Sequence, residues 1–294
     1  MTRNERARIS LDGLSVGDAF GERFAGLGIV GLLDRRLPPP PWITTDDTEM
    51  ACEIVAQLES RQAIEQDELA LRFARRFHRD PGRGYGPGAM RILRAIEQGR
   101  SWREAAGSAF RGQGSMGNGS AMRVAPLGAW FAEDLDALIR EARASAEVTH
   151  AHPDAQVGAM AVALAAAWAV RKPEAGLLEF VLQHLPGAGP TRAGIEQSLT
   201  LAEAAPFEAA QVLGNGSMIL SSDTVPLCLW LAARYSHDYA AALWVTAGLF
   251  GDVDTNCAIV GGIVALRAPP PPGWIAAREP LDLEKGTPAP REAR

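Results

Sequence analysis

Residues 158–170 read GAMAVALAAAWAV, an uncharged run of alanine, valine, leucine, methionine and tryptophan without proline. It falls short of the roughly 20 residues that cross a bilayer. Alanine and leucine are good helix formers. A helix that is apolar all round must be covered on all sides, so the run predicts a buried helix at the centre of a helical protein.

Working outward, apolar residues recur at spacings of three and four, the helical period. The pattern covers Glu49 to Leu58, Glu68 to Phe77, Met90 to Ile96, Asp134 to Ala146 and Val157 to Val170. It continues in Ala175 to Leu185, Val225 to Ala233, Tyr239 to Leu249 and Thr255 to Leu266. Strand-type alternation is missing, so the expected class is all-α. Turn formers separate the runs: Asp80-Pro81-Gly82, Gly84-Tyr85-Gly86-Pro87, the segment from Gly112 to Gly119, and Pro186-Gly187. The prolines of residues 38–41 require an extended loop. With no internal repeat or linker, residues 1–267 are expected to form one domain. The proline-rich segment 268–294 is expected to be a peripheral or disordered tail.

Of the 294 residues, 47% are apolar, 22% charged and 6% aromatic, enough for a large core. The net charge of −6 argues against a nucleic-acid groove, which needs a basic face. The three cysteines Cys52, Cys228 and Cys257 form no close pair, so a reducing compartment is the expectation. Neither a signal sequence nor a membrane span is recognised, and the protein is expected to be cytoplasmic.

Two acidic clusters each open an apolar helix: Thr44-Thr45-Asp46-Asp47-Thr48-Glu49 and Gly251-Asp252-Val253-Asp254-Thr255-Asn256. Singly, each is explained by helix capping, which selects Thr and Asp. Together they exceed that need, because a cap uses one oxygen and each cluster supplies two carboxylates. Adjacent buried carboxylates repel, and a hard cation between them relieves the repulsion. Residues 112–123, GQGSMGNGSAMR, hold four glycines that let backbone N–H groups approach phosphate oxygens, although such a loop is also a common surface feature. His150 and His152 lie between two helices, and His152 reads as a helix cap. Gly13, Gly17 and Gly21 share one helical face suited to close packing, while Asp18 and Glu22 share another that reads as a solvated acidic face.

Taken in order, Gly17-Asp18-Ala19-Phe20-Gly21, Thr45-Asp46-Asp47-Thr48, Gly117 to Arg123 with Pro126-Leu127-Gly128, Thr149-His150 and Gly251 to Asn256 resemble the ADP-ribosylglycohydrolases. That family includes the dinitrogenase-reductase-activating glycohydrolase and relatives of the J1 crystallins. The resemblance spans about residues 9 to 267 and implies a compact orthogonal bundle of many helices with a metal site in a central cleft. It further implies one or two Mg²⁺ ions, or Mn²⁺, held by Thr45, Asp46, Asp47, Asp252, Asp254 and Thr255. The loop residues Ser115, Gly117, Asn118, Gly119 and Met122 would contact diphosphate and ribose, and His150 a ribose. The substrate would be an ADP-ribosylated protein or an ADP-ribose-containing small molecule, cleaved at C1″, with Asp47 and Asp254 at the reacting centre.

The chain departs from the family pattern in several places. Glu22, the candidate for proton transfer, follows Gly21 at once instead of standing a few residues beyond. Arg83-Gly84-Tyr85-Gly86 stands where many members carry an acidic residue before a glycine, which makes Tyr85 or Arg83 a candidate to line the pocket. Phe250 and Val253 replace a usual Gly and Thr. Two other readings compete. One is an inactive member that binds ADP-ribose or serves as a structural, crystallin-like protein. The other is a helical prenyl-diphosphate synthase, but its Asp-Asp-x-x-Asp pattern is broken here by Thr48-Glu49-Met50.

Overall fold

Each run read as helical from its spacing is a helix in the computed structural model, which describes residues 1–25, 34–284 and 286. In chain order the helices are α1 (Arg3–Ala25), α2 (Asp46–Arg61), α3 (Gln66–Arg79), α4 (Pro87–Glu97), α5 (Trp102–Gly107) and, after a 3₁₀ turn at Asn118–Ser120, α6 (Ala125–Trp130). There follow α7 (Leu135–Glu147), α8 (Pro153–Arg171), α9 (Leu177–His184), α10 (Pro190–Ser198), α11 (Pro206–Leu213), α12 (Ser221–Arg234), α13 (Tyr239–Gly248), α14 (Val253–Val264) and α15 (Pro272–Ala277). Among the described residues there is no strand, only the isolated bridges Trp42–Arg278 and Gly117–Leu220. Helices α5, α6, α10, α11 and α15 are short, and their few turns carry too little periodicity to be read in advance.

The central helix α8 is buried along nearly its whole length, with every residue from Val157 to Ala169 enclosed. Its 19 residues are long and apolar enough to span a membrane by composition, but here they are covered by α7, α6, α9 and α12. His152 caps it, its Nδ1 accepting from the Asp154 amide at 3.1 Å.

The most extensive helix pair is α1 with α14, and glycine makes it possible. A Cβ on Gly17 would lie 2.1 Å from the Cys257 carbonyl oxygen, and one on Gly13 2.4 Å from that of Gly261. A Cβ on Gly21 would lie 2.6 Å from Asp254 Cα, and one on Gly261 2.5 Å from the Gly13 oxygen. The two backbones therefore touch directly, as the glycine face predicts. The Tyr239 hydroxyl donates to the Gly13 carbonyl at 2.6 Å and closes one end of the contact.

The segment after residue 267 is not a peripheral tail within its described part. Trp274 is buried and stacks on Phe20 with centroids 4.8 Å apart, inside an aromatic cluster with Trp42 and Trp244. Residues 277–279 run beside residue 42, with Trp42 N donating to Ala277 O at 2.7 Å and Glu279 N to Trp42 O at 2.9 Å. Leu281 and Leu283 pack on Leu11, Leu14, Ala51 and Cys52. Buried Arg76 holds Glu49 and Glu53 and donates to the Asp282 carbonyl at 2.8 Å. Pro272 starts the short helix α15 and the prolines before it keep the chain extended, while the apolar and charged residues around them anchor the segment as a strap.

Replacing Gly17 by alanine forces a methyl into the Cys257 backbone. Overpacking of this kind costs about 2–3 kcal/mol. Urea unfolding of Gly17→Ala is expected to show that loss, whereas Gly99→Ala, with open space around it, should show only its smaller left-handed backbone strain.

Candidate metal centre and glycine-loop cleft

Two helix starts and one helix interior converge. Thr45, extended at φ −106°, ψ −166°, is the N-cap of α2, which places Asp46 and Asp47 in the first turn. Asp252 is the N-cap of α14, with Asp254 and Thr255 in its first turn. The α1–α14 contact brings Asp18 beside them, and one carboxylate oxygen each of Asp18, Asp47 and Asp254 lies within 4.8 Å of the others. The two acidic clusters therefore do meet.

Asp18 is fully buried, which overturns its reading as part of a solvated face. Its Oδ1 accepts from Thr45 Oγ1 at 2.8 Å. Its Oδ2 accepts from Thr45 N at 2.9 Å, from Thr48 N at 3.2 Å and from Thr48 Oγ1. Asp18 is thus an anchor for the first turn of α2. Asp47 differs. Its Oδ2 lies 3.1 Å from Thr45 Oγ1, but its buried Oδ1 has no partner. Asp252 Oδ2 accepts from Asn118 Nδ2 at 2.6 Å.

None of Asp18, Asp46, Asp47, Asp252 and Asp254 forms an ion pair among the described residues. Burial, then mutual repulsion, pushes the carboxyl groups of Asp46 and Asp47 well above the usual range. Burial drives Asp18 up to about 7 against the pull of its Thr48 and Thr45 hydrogen bonds. Asp252 is also raised to about 7, by burial and then by Asp254. Glu22 is exposed at the edge of this cluster, and its carboxyl is raised by partial burial and by the charge of Asp254.

The glycine loop stands on the other side. Ser115 Oγ accepts from Gly117 N at 3.2 Å and shapes the turn. The His150 ring lies against the loop: a Cβ on Gly119 would be 3.2 Å from its Nε2, and one on Gly117 3.4 Å. Met122 is buried beneath, and its sulfur would be 3.9 Å from a Cβ on Gly119. Asn118 is buried, and its amide is committed to Thr224 Oγ1 (3.0 Å) and Asp252. Its amide nitrogen therefore couples the loop to the acidic cluster.

Tyr85 does not line the cleft either. It is buried, packed edge-on against Phe77 at 5.0 Å, with its hydroxyl enclosed and unpartnered. The bulky ring fills the core because Phe77 is there to receive it. Arg83 is likewise occupied, donating to Asp80, to the Thr44 carbonyl and to Glu279. Gly84, at φ +85°, lets the loop backbone lie over Thr45 and Asp46, and Asp46 N donates to Arg83 O at 2.7 Å.

Two supports carried no strong signal in the sequence. The loop 214–220 touches both sides of the site. The Asn215 carbonyl accepts from Asp252 N (3.3 Å) and Asn256 Nδ2 (2.7 Å), and the Ile219 carbonyl accepts from Asn118 N (3.2 Å). Gly214 and Gly216, both at positive φ, were its one visible marker. Ile219 at φ 57° is a β-branched residue in the left-handed region, a strained conformation of the kind that gathers at functional sites. The second support is Glu279, whose Oε1 accepts from Thr44 N and Thr44 Oγ1, each at 2.8 Å, as well as from Arg83. Two surface cavities of about 640 and 430 Å³, lined by residues such as Arg61 and Glu141 or Trp168 and Trp230, include none of these site residues.

The ADP-ribosylglycohydrolase family model matches residues 1–285. The chain belongs to that family. The human ADP-ribosylhydrolase ARH3 is 28% identical over 88% of this chain and 84% of its own length. An uncharacterised protein of Archaeoglobus fulgidus is 31% identical over 88% of this chain and 86% of its own. A solved structure titled "ADP-ribosylglycohydrolase-related protein complex" superposes with a TM-score of 0.69 at 26% identity, covering 94% of this chain and 93% of that one. The all-α ADP-ribosylglycohydrolase fold is thereby shown, and with it a family of metal-dependent glycosyl hydrolases.

Two expectations follow from the geometry. Because Asp18 and Asp252 are raised to about 7, the folded chain binds more protons than the unfolded chain above the usual carboxylate range. The stability of metal-free protein therefore falls as pH rises, and thermal melts in EDTA should give a lower Tm at about pH 8 than at about pH 5. Removing the Glu279 carboxylate unties Thr44 and leaves Arg83 with Asp80 alone as its acid partner. Glu279→Ala is expected to lose about 2 kcal/mol in urea unfolding, as charged hydrogen bonds are removed.

Proposed function

We propose that this protein hydrolyses the glycosidic bond at C1″ of ADP-ribose in a Mg²⁺-dependent reaction, releasing ADP-ribose from a modified protein or small molecule. The observation that carries this reading is the set of converging carboxylates without a cationic partner among the described residues, where Asp47 Oδ1 is buried and has no hydrogen-bond partner. Family membership and the name ADP-ribosylhydrolase borne by a relative support the reaction class.

The donor set suits a hard divalent ion. Thr45, Asp46, Asp47, Asp252, Asp254 and Thr255 offer oxygen alone, and no thiol or imidazole belongs to the cluster, which favours Mg²⁺ or Mn²⁺ over softer metals. These six residues would hold one or two ions, with Asp18 beside them tying down the first turn of α2 through Thr45 and Thr48. Bound there, the ion supplies Lewis-acid polarisation of ribose hydroxyls and water.

The protein's own groups perform the rest. The backbone of Ser115 and Gly119, on either side of the turn that Gly117 N closes onto Ser115 Oγ, cradles the diphosphate, so that binding energy distant from the reacting carbon positions C1″. His150 stands beside that cradle for a ribose hydroxyl. Glu22, at the rim with its carboxyl raised by partial burial and by the charge of Asp254, transfers a proton as the bond breaks and oxocarbenium character develops. Asn118 holds Asp252 in place as the loop engages.

The test is release of free ADP-ribose from arginine- and serine-linked substrates, with Mg²⁺ and with EDTA. Wild type is expected to release it with Mg²⁺ alone, and Asp254→Ala to lose the activity. Glu22→Gln should lower kcat by about 10²-fold or more while metal binding persists. Tight ADP-ribose binding without release from either substrate would instead favour a binding protein, and absence of binding would overturn the proposal.

A further inference from the structure

His150 is followed through Thr149 to a deeply buried arginine. Arg123 is 1% exposed and has no carboxylate hydrogen-bond partner among the described residues. Its guanidinium lies over the Phe73 ring at 4.5 Å, and Nη2 donates to Ser145 O at 3.0 Å and to Thr149 Oγ1 at 2.9 Å. Thr149 Oγ1 in turn lies 2.8 Å from His150 Nδ1.

The donors and acceptors along this chain point to one direction. Arginine only donates, so Thr149 Oγ1 must accept from it. The hydroxyl keeps one proton, and among the described residues the acceptor within reach is His150 Nδ1. Nδ1 is then an acceptor and the ring proton sits on Nε2. That edge faces the backbone of Gly117 and Gly119. Burial, and then the nearby Arg123 charge, pull the His150 imidazole down to about 3, so the ring stays neutral.

We propose that Arg123 and Thr149 are positioning residues that lock His150 as the neutral Nε2–H tautomer, a fixed hydrogen-bond donor aimed into the glycine-loop cleft. A donor of this kind suits an uncharged hydroxyl or a phosphate oxygen without adding a charge that the neighbouring cation site would repel. The chemistry of the ligand rests on the proposed ADP-ribose reading, whereas the tautomer does not.

The proton is located by long-range ¹H–¹⁵N NMR of the ligand-free protein, with His150 assigned by the signals lost in His150→Gln. An Nε2–H ring that stays neutral at mildly acid pH is expected. Thr149→Val should mix the tautomers and weaken ADP-ribose binding about tenfold, the scale of one hydrogen bond. Thr149→Ser should restore both. A proton on Nδ1 in wild type overturns the proposal, as does a Thr149→Val protein with unchanged tautomer and affinity. If ADP-ribose fails to bind wild type, the proposed function fails, and the spectrum of the ligand-free protein still decides the tautomer.

Discussion

The backbone contact between α1 and α14 is the constraint from which the site follows. Side chains normally hold two helices apart by their own thickness. Here Gly13, Gly17 and Gly21 meet Gly261, Cys257 and Asp254 with no side chain between. Asp18, one residue after Gly17, is thereby carried to Asp254, and Glu22 to the edge of the same cluster. A single methyl on this face would separate groups whose chemistry depends on lying within a few ångströms of one another.

What the contact gathers is unfavourable by itself. Carboxylates share a buried volume without an ion pair, and their protonation equilibria shift upward to reduce the repulsion. The neighbourhood divides them into two classes. Both oxygens of Asp18 accept from hydroxyl and amide donors of the first turn of α2, which it anchors. Asp47 retains a free, buried oxygen and has something left to bind. Hydrogen bonding therefore distinguishes the two where proximity does not.

The cluster is held rigid from outside by segments that look incidental. Glu279 and Arg83 tie down Thr44, the residue before the first candidate ligand. Asn215 holds the start of α14, and Asn118 bridges the glycine loop to Asp252. Each is a polar contact between segments distant in sequence, and each orients a helix start whose own capping geometry sets only local direction. The C-terminal strap belongs to this frame because Trp274 fills the aromatic cluster around Phe20.

The sequence by itself determined the helical class, most of the long helices, the starts of α2 and α14, and the glycine face of α1, because period, capping preference and the absence of Cβ atoms act over a few residues. The motifs Thr45-Asp46-Asp47 and Asp252 to Thr255 were legible for the same reason, as was the family. Only the tertiary structure decided that Asp18 is buried, that the amide of Asn118 is spent on Asp252, that Tyr85 belongs to the core and that residues 268–284 pack as a strap. A residue's environment is set by the distant segments laid against it: Asp18 carries the same carboxylate on an exposed helix as here, and only Thr45 and Thr48, placed over it by the fold, make it an anchor.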